Sequence, residues 1–166
     1  MTDKDQWRAP GRQAGADACS IDRDFSTGLA RGTRVLTLEG ALPVDYLSPG
    51  DRVITREGAR VLRGLRAGRI SGQMVRLRAG VLGLDRPEGE LLLAPGTGVL
   101  IRDWRALALY GAKQAVVPVR RLIDGDFIAP VSVQDLPVYA LEFDRPQVIY
   151  AEGIEIEALP ALVTAR

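Results

Sequence analysis

The chain has 166 residues, 46% of them hydrophobic and 26% charged, with 22 basic against 21 acidic side chains and a formal net charge of +1. That size and balance describe one globular domain with a single core and give no electrostatic reason to expect nucleic acid or an anionic membrane as partner. Histidine is absent, which removes the commonest proton carrier near neutral pH, every Ser-His or Cys-His nucleophile pair and any metal site that needs imidazole.

Residues 1–27 are polar and lack apolar periodicity, and so read as a flexible N-terminal arm in which only Trp7 and Phe25 offer anchors. The stretch from Met1 to Cys19 has no apolar core of a signal peptide, and no run in the chain approaches the length of a membrane span. Cys19 has no second cysteine to pair with, which excludes an internal disulfide and fits a reducing compartment. The cytoplasm is the default location, with signal-less export or incorporation in a larger assembly left open.

From Gly32 onward short aliphatic runs recur between Gly, Pro and Asp, the texture of an all-β fold. Strands are expected at Thr33–Leu38, Arg52–Arg56, Arg60–Leu65, Gln73–Arg78, Glu90–Leu93, Gly98–Arg102, Ala115–Val117, Asp126–Ala129, Val138–Phe143 and Gln147–Ala151. Glu39-Gly40 and Glu57-Gly58 suit tight turns, because glycine accepts positive φ without a Cβ clash. Trp104–Tyr110 and Val119–Ile123 have short helical character, and 10 scattered prolines argue against long helices. Trp104, Tyr110, Tyr139 and Phe143 read as core or rim aromatics.

One pattern occurs twice, as Val44-x-x-Leu47-x-x-Gly50-Asp51-x-Val53 and as Val119-x-x-Leu122-x-x-Gly125-Asp126-x-Ile128. Each copy reads as a helical turn presenting Val and Leu to the core, then a Gly-Asp turn, then a strand. Two halves related by a pseudo-twofold axis follow. Placement straight after glycine makes Asp51 and Asp126 turn hydrogen-bonders rather than a carboxylate pair or metal ligands.

Four blocks now resemble, in order, the Hedgehog/intein (Hint) domain family in its bacterial autoprocessing form. Gly28-Leu29-Ala30-Arg31-Gly32-Thr33 is similar to the family's opening Cys-Phe-x-x-Gly-Thr, and Val44 to Val53 to its next block. Leu92-Leu93-Ala94-Pro95-Gly96-Thr97-Gly98-Val99-Leu100-Ile101 resembles its V-S-P-x-H-R-V-L-I block. The run from Val138 to Gly153 is similar to its closing Y-x-H-x-E-x-D-R-H-x-V-I-x-A-E-G. The resemblance implies a pseudo-symmetric β domain over residues 28–157, followed by a tail at 158–166.

The same resemblance implies an acyl shift, in which a first-position Cys or Ser attacks the preceding carbonyl while a Thr/Ser-x-x-His pair polarises the peptide. In this chain the nucleophile position is Gly28, the Ser/Thr position is Ala94 and its histidine is Thr97. The two later histidine positions are Ala140 and Pro146, and the chain ends Ala165-Arg166 without an amide side chain for cyclisation. Thr27, Thr33 and Thr97 carry hydroxyls, but a neutral hydroxyl without a base is a poor nucleophile. Cys19, without a partner base, reads as an inert thiol.

Between Arg56 and Arg78 lie seven arginines (56, 60, 63, 66, 69, 76, 78) against one acid, Glu57. Arg60, Arg63, Arg66 and Arg69 form a candidate anion-binding set. The plainer reading is a solvated hairpin paired with acids such as Glu142, Asp144, Glu152, Glu155 and Glu157, since stacking aromatics are missing from the stretch. The expected function is therefore that of a catalytically inactive Hint-like domain, a structural or protein-interaction module without cofactor or metal whose partner is another protein. The alternatives are residual autoproteolysis by non-standard residues, or anion or nucleic-acid binding through Arg56–Arg78.

Overall fold

Two Thr-x-Glu-Gly turns show how local chemistry starts the fold. The Thr37 hydroxyl donates to the Gly40 carbonyl (2.8 Å) and accepts from the Glu39 N–H (3.1 Å), and Thr55 repeats both bonds with Gly58 and Glu57 at 2.7 and 3.0 Å. Gly40 and Gly58 sit at φ +105° and +95°, where a side chain would be strained. These turns close the hairpins β2 (Arg34–Thr37) with β3 (Gly40–Pro43) and β4 (Arg52–Thr55) with β5 (Gly58–Val61).

A computed structural model describes residues 26–83 and 86–159. Trp7, Cys19, Phe25, all of the expected arm up to residue 25 and the tail from 160 lie outside the described residues. The remaining strands are β1 (Leu29–Ala30), β6 (Gly64–Leu77), β7 (Leu91–Leu93), β8 (Gly98–Ile101), β9 (Ala115–Pro118), β10 (Ile128–Glu142), β11 (Gln147–Ala151) and β12 (Ile154–Ala158). Helix α1 spans Trp104–Tyr110; the Asp103 carboxylate accepts from the Arg105 N–H at its start, and Gly111 at φ +65° ends it.

Strands β1, β10, β6 and β7 close into a small barrel, while the order β3-β2-β4-β11-β12-β8-β9 forms an open sheet, with β5 paired to β4. A large apolar core holds Leu62, Leu77, Leu91, Leu93, Ile128, Phe143, Ile149 and Ile156. A smaller one gathers Ala30, Ile70, Met74, Ala94, Val138 and Ala140.

The all-β class and the Trp104–Tyr110 helix are as expected, whereas several strand boundaries differ. Gln73–Arg78 is the end of the 14-residue β6, and Asp126–Ala129 and Val138–Phe143 belong to the ends of the 15-residue β10. These two strands pair from Ile128↔Leu77 to Glu142↔Gly64, with an irregularity between Val133 and Leu136 where Asp135 takes φ +54°. A bulge lets a strand bend and continue. The arginine-rich stretch is thus one hairpin strand followed by a long barrel strand, not a single solvated hairpin. Strand β12 was not expected, although Ile154-Glu155-Ile156-Glu157-Ala158 alternates apolar and charged residues as a strand does; the Glu155 side chain is only 5% exposed, held between Arg56 (3.4 Å) and Arg102.

The repeated pattern forms a short 3₁₀ turn in each copy, at Val44–Tyr46 and Val119–Leu122, with Val44, Leu47, Val119 and Leu122 buried. The symmetry extends upstream. Ala30-x-Gly32-Thr33-x-Val35-Leu36 matches Ala94-x-Gly96-Thr97-x-Val99-Leu100, and the Val44 and Val119 N–H groups donate to the Thr33 and Thr97 carbonyls at 2.7 and 2.8 Å. Leu29 and Leu93, which match, pair with each other across β1 and β7.

The Gly-Asp turns differ in one respect from expectation. Gly50 and Gly125 take φ +100° and +88°, and Asp51 accepts from the Ser48 N–H at 2.9 Å. In the second copy the accepting carboxylate is Asp124, not Asp126: its Oδ1 takes the N–H groups of Asp126 (2.8 Å) and Ile128 (3.0 Å). Bonds from Ile128 and Asp126 hold the Asp124 pKa below its ordinary value of 3.8. A lowered native pKa adds stability above the ordinary carboxylate pKa and loses it as pH falls through the native one. Asp124→Ala should lower Tm at pH 7 by about 2 °C, a small effect because the group is solvated. In thermal melts across pH, that difference from wild type should shrink steadily below about pH 4.

Candidate functional site

The site is built where the chain first enters the fold. Gly28 lies just before β1, and three elements meet around it: the turn Ala94–Thr97 between β7 and β8, the second half of β10, and the β11–β12 hairpin. They leave a narrow cleft lined by Thr27, Gly28, Leu29, Thr97, Tyr139, Ala140, Ile149, Ile156 and Leu159, with Arg66, Glu142 and Glu157 as its charged members.

Thr97 is 1% exposed, and its Oγ1 is fully engaged by one residue. It accepts from the Gly28 N–H at 2.9 Å and donates to the Gly28 carbonyl at 3.2 Å. That carbonyl also accepts from the Ala94 N–H at 3.0 Å, and the Ser26 carbonyl accepts from the Gly96 N–H at 2.7 Å. Ser26 and Thr27, read from sequence as the end of an arm, are therefore part of the site. A hydroxyl committed to two backbone bonds is a poorer nucleophile still, and among the described residues no side-chain base bonds to it.

Of the positions that the family resemblance singles out, Gly28, Thr97 and Ala140 meet in the cleft. Ala94 touches it through its backbone, while its methyl is fully buried in the smaller core beside Ile70, Met74, Val138 and Ala140. Pro146 is exposed, in the turn from β10 to β11, and does not line the cleft. Thr33 is buried at the matching turn of the first half, Ala30–Thr33. The cleft's polar side chains include Tyr139, Glu142 and Glu157; the sequence alone reads the carboxylates as salt-bridge partners and Tyr139 as a core or rim aromatic. Glu142 is paired with Arg66 at 2.9 Å.

The candidate anion-binding arginines are distributed among acids. Arg60 lies 3.5 Å from Glu57, Arg63 makes two bonds to Asp144 at 2.7 and 3.2 Å, and Arg69 reaches Asp135 at 2.6 Å. The hydrogen bond and charge of Asp144 push the Arg63 guanidinium up from its already high pKa. Arg78 lies 5.9 Å from the Phe127 ring, a cation–π contact. No group of three or more acids, cysteines or histidines placed to hold a metal occurs among the described residues.

The Hint-domain family profile matches residues 27–161. The chain belongs to the Hint-domain family. Its fold is similar to that of the bacterial intein-like domain from Clostridium thermocellum, with 12% identity, TM-score 0.55, and coverage of 79% of this chain and 97% of that one. It is likewise similar to the TvoVMA intein, with 13% identity, TM-score 0.57, and coverage of 80% and 97%. The MchDnaB-1 intein gives 13% identity, TM-score 0.50, and coverage of 78% and 98%. At such identities the likeness concerns fold alone. No curated protein matches the sequence.

In this Hint domain a hydroxyl at position 94 would enter an apolar core. Ala94→Thr adds volume and an unpartnered oxygen there, each destabilising by about 1–3 kcal/mol. Urea melts should show the variant less stable by that order with an unchanged slope, whereas Ala140→Ser, beside the cleft, should cost less.

Proposed function

We propose that this Hint domain is catalytically silent and serves as a folded structural or protein-interaction module. The observation that carries the reading is the junction itself: Gly28 offers no nucleophile, and the Thr97 hydroxyl that meets it is spent on holding the Gly28 backbone. Acyl transfer needs a nucleophile, a proton carrier and oxyanion stabilisation together. The chain has no histidine, and Ala140 places a methyl group where the family resemblance expects imidazole. Hydrolysis by carboxylates is weakened by the pairing of Glu142 with Arg66.

An interaction role is supported by the surface of α1, where Trp104, Leu107 and Leu109 are exposed, side chains of the kind on which protein interfaces draw. Anion binding has less support, because the arginines at 60, 63, 66 and 69 already face carboxylates.

Intact-mass measurement of the purified full chain, incubated with and without dithiothreitol, decides between silence and residual processing. One undiminished mass is expected under both conditions. A fragment beginning at Gly28 would overturn the reading, and its loss on replacing Thr27, Thr33 or Thr97 by Ala would then identify the hydroxyl responsible.

A further inference from the structure

Helix α1 turns its apolar stripe away from the domain. An amphipathic helix on a folded domain directs that stripe at the core, yet Ala106 is the one α1 residue that is buried. At about 100° per residue, Trp104, Leu107 and Ala108 fall on the opposite side, with the i, i+3, i+4 spacing of a contact face. Trp104 is 70% and Leu107 66% exposed, and Leu109 and Tyr110, which flank Ala106, are exposed as well. Two turns of helix are marginal in water by themselves, and a cover over this face adds what one buried methyl group cannot.

The charges around the stripe bear on what the cover is. Between residues 102 and 114 the chain carries Arg102, Asp103, Arg105 and Lys113. Arg102 is bonded to Glu155 and Arg105 to Asp103, and the Arg105 guanidinium lies 5.3 Å from the Trp104 ring centroid. Lys113 stands beyond the helix end. The stripe is therefore apolar and its rim close to neutral. An acidic or basic peptide, or an anionic bilayer, has little charge to read here. A second copy needs none: across a twofold axis each charge of a patch meets its own kind, so a neutral face is the sort that can face itself.

Area agrees with this. Aromatic side chains bring roughly 150–250 Å² each, so the exposed parts of Trp104, Leu107, Leu109 and Tyr110 make a patch of several hundred Å². Two such patches with their rims come to about the 1,000 Å² at which a specific contact begins.

We infer that the exposed face of α1 is a self-association surface, where Trp104 and Leu107 of two copies of this chain pack across a twofold axis. The inference deepens the interaction-module reading and rests on it. A contact at the low end of specific interfaces predicts a reversible dimer, half dissociated at micromolar concentration.

Sedimentation velocity of the full chain from about 1 to 300 μM tests it. Wild type should pass from monomer to dimer over that range, and Trp104 emission, read in Trp7→Phe, should move to shorter wavelength in step. Leu107→Ser should weaken dimerisation by about tenfold or more, and Leu107→Asp should stay monomeric throughout. Leu38→Asp, at an exposed leucine of the β2–β3 turn, should dimerise as wild type does. At the lowest concentration these variants should melt within about 2 °C of wild type, because both leucines are exposed. Wild type that is monomeric at the top concentration, or a dimer that survives Leu107→Asp, overturns the surface. So does a monomer that sediments with phosphatidylglycerol or phosphatidylcholine vesicles, since the occupant is then a bilayer. A monomer of undiminished mass defeats the dimer alone, whereas a chain trimmed before Gly28 that still dimerises defeats only the silent-domain reading.

Discussion

Antiparallel pairing of β6 with β10 is the constraint on which the rest of the domain depends. It joins residues from the two sequence halves along almost the full length of both strands, and it closes the barrel by giving β1 and β7 their outer partners. The cyclic order β1-β10-β6-β7 maps onto itself when β1 is exchanged with β7 and β10 with β6. A pseudo-twofold axis is thus a property of the hydrogen-bonding, with Leu29↔Leu93 at its centre. Long-range pairing of this kind is entropically demanding to form, so the turns that prepare each half locally have a large part in specifying it.

That frame explains why chemistry at the cleft and stability are separable. The turn Ala94–Thr97 holds its place through backbone bonds and the Thr97 hydroxyl, and its alanine methyl contributes to an apolar core. A polar side chain at such a position has to find a partner or be destabilising. Gly28, Ala94 and Ala140 ask for no partner, so the site can be apolar at these positions without any loss in the surrounding sheet. Under the proposed reading the cost falls on function, since Gly28 has no side chain to act as nucleophile.

Much of the fold was legible in the residues. Glu39-Gly40 and Glu57-Gly58 marked the two tight turns, the repeated Val-x-x-Leu-x-x-Gly-Asp marked the two halves, and Trp104–Tyr110 stood out as helix. Strand β12 carries a legible apolar–charged alternation that was passed over; the burial of Glu155 was not legible, because Arg56 and Arg102 are brought to it from β4–β5 and the end of β8. Strand β3 was hidden because Gly-Ala-Leu-Pro reads as loop. At the cleft, the positions of Gly28, Thr97 and Ala140 followed from motif order. The Thr97 clamp did not, since it joins residues 69 apart in sequence, and periodicity carries no information about such a meeting. Pro146 is a motif position that the fold leaves outside the cleft.

Helix α1 has no counterpart in the first half, where β2 turns directly into β3. It is inserted between β8 and β9, whose pairing from Gly98↔Pro118 to Ile101↔Ala115 is complete without it, and it supplies one buried residue, Ala106. Its own ends are finished by Asp103 and Gly111, so the hairpin beneath bears little of its weight. Such an appendage is free to vary in length and composition without disturbing the sheet, which makes it the natural grafting point on this scaffold for a foreign loop or reporter peptide.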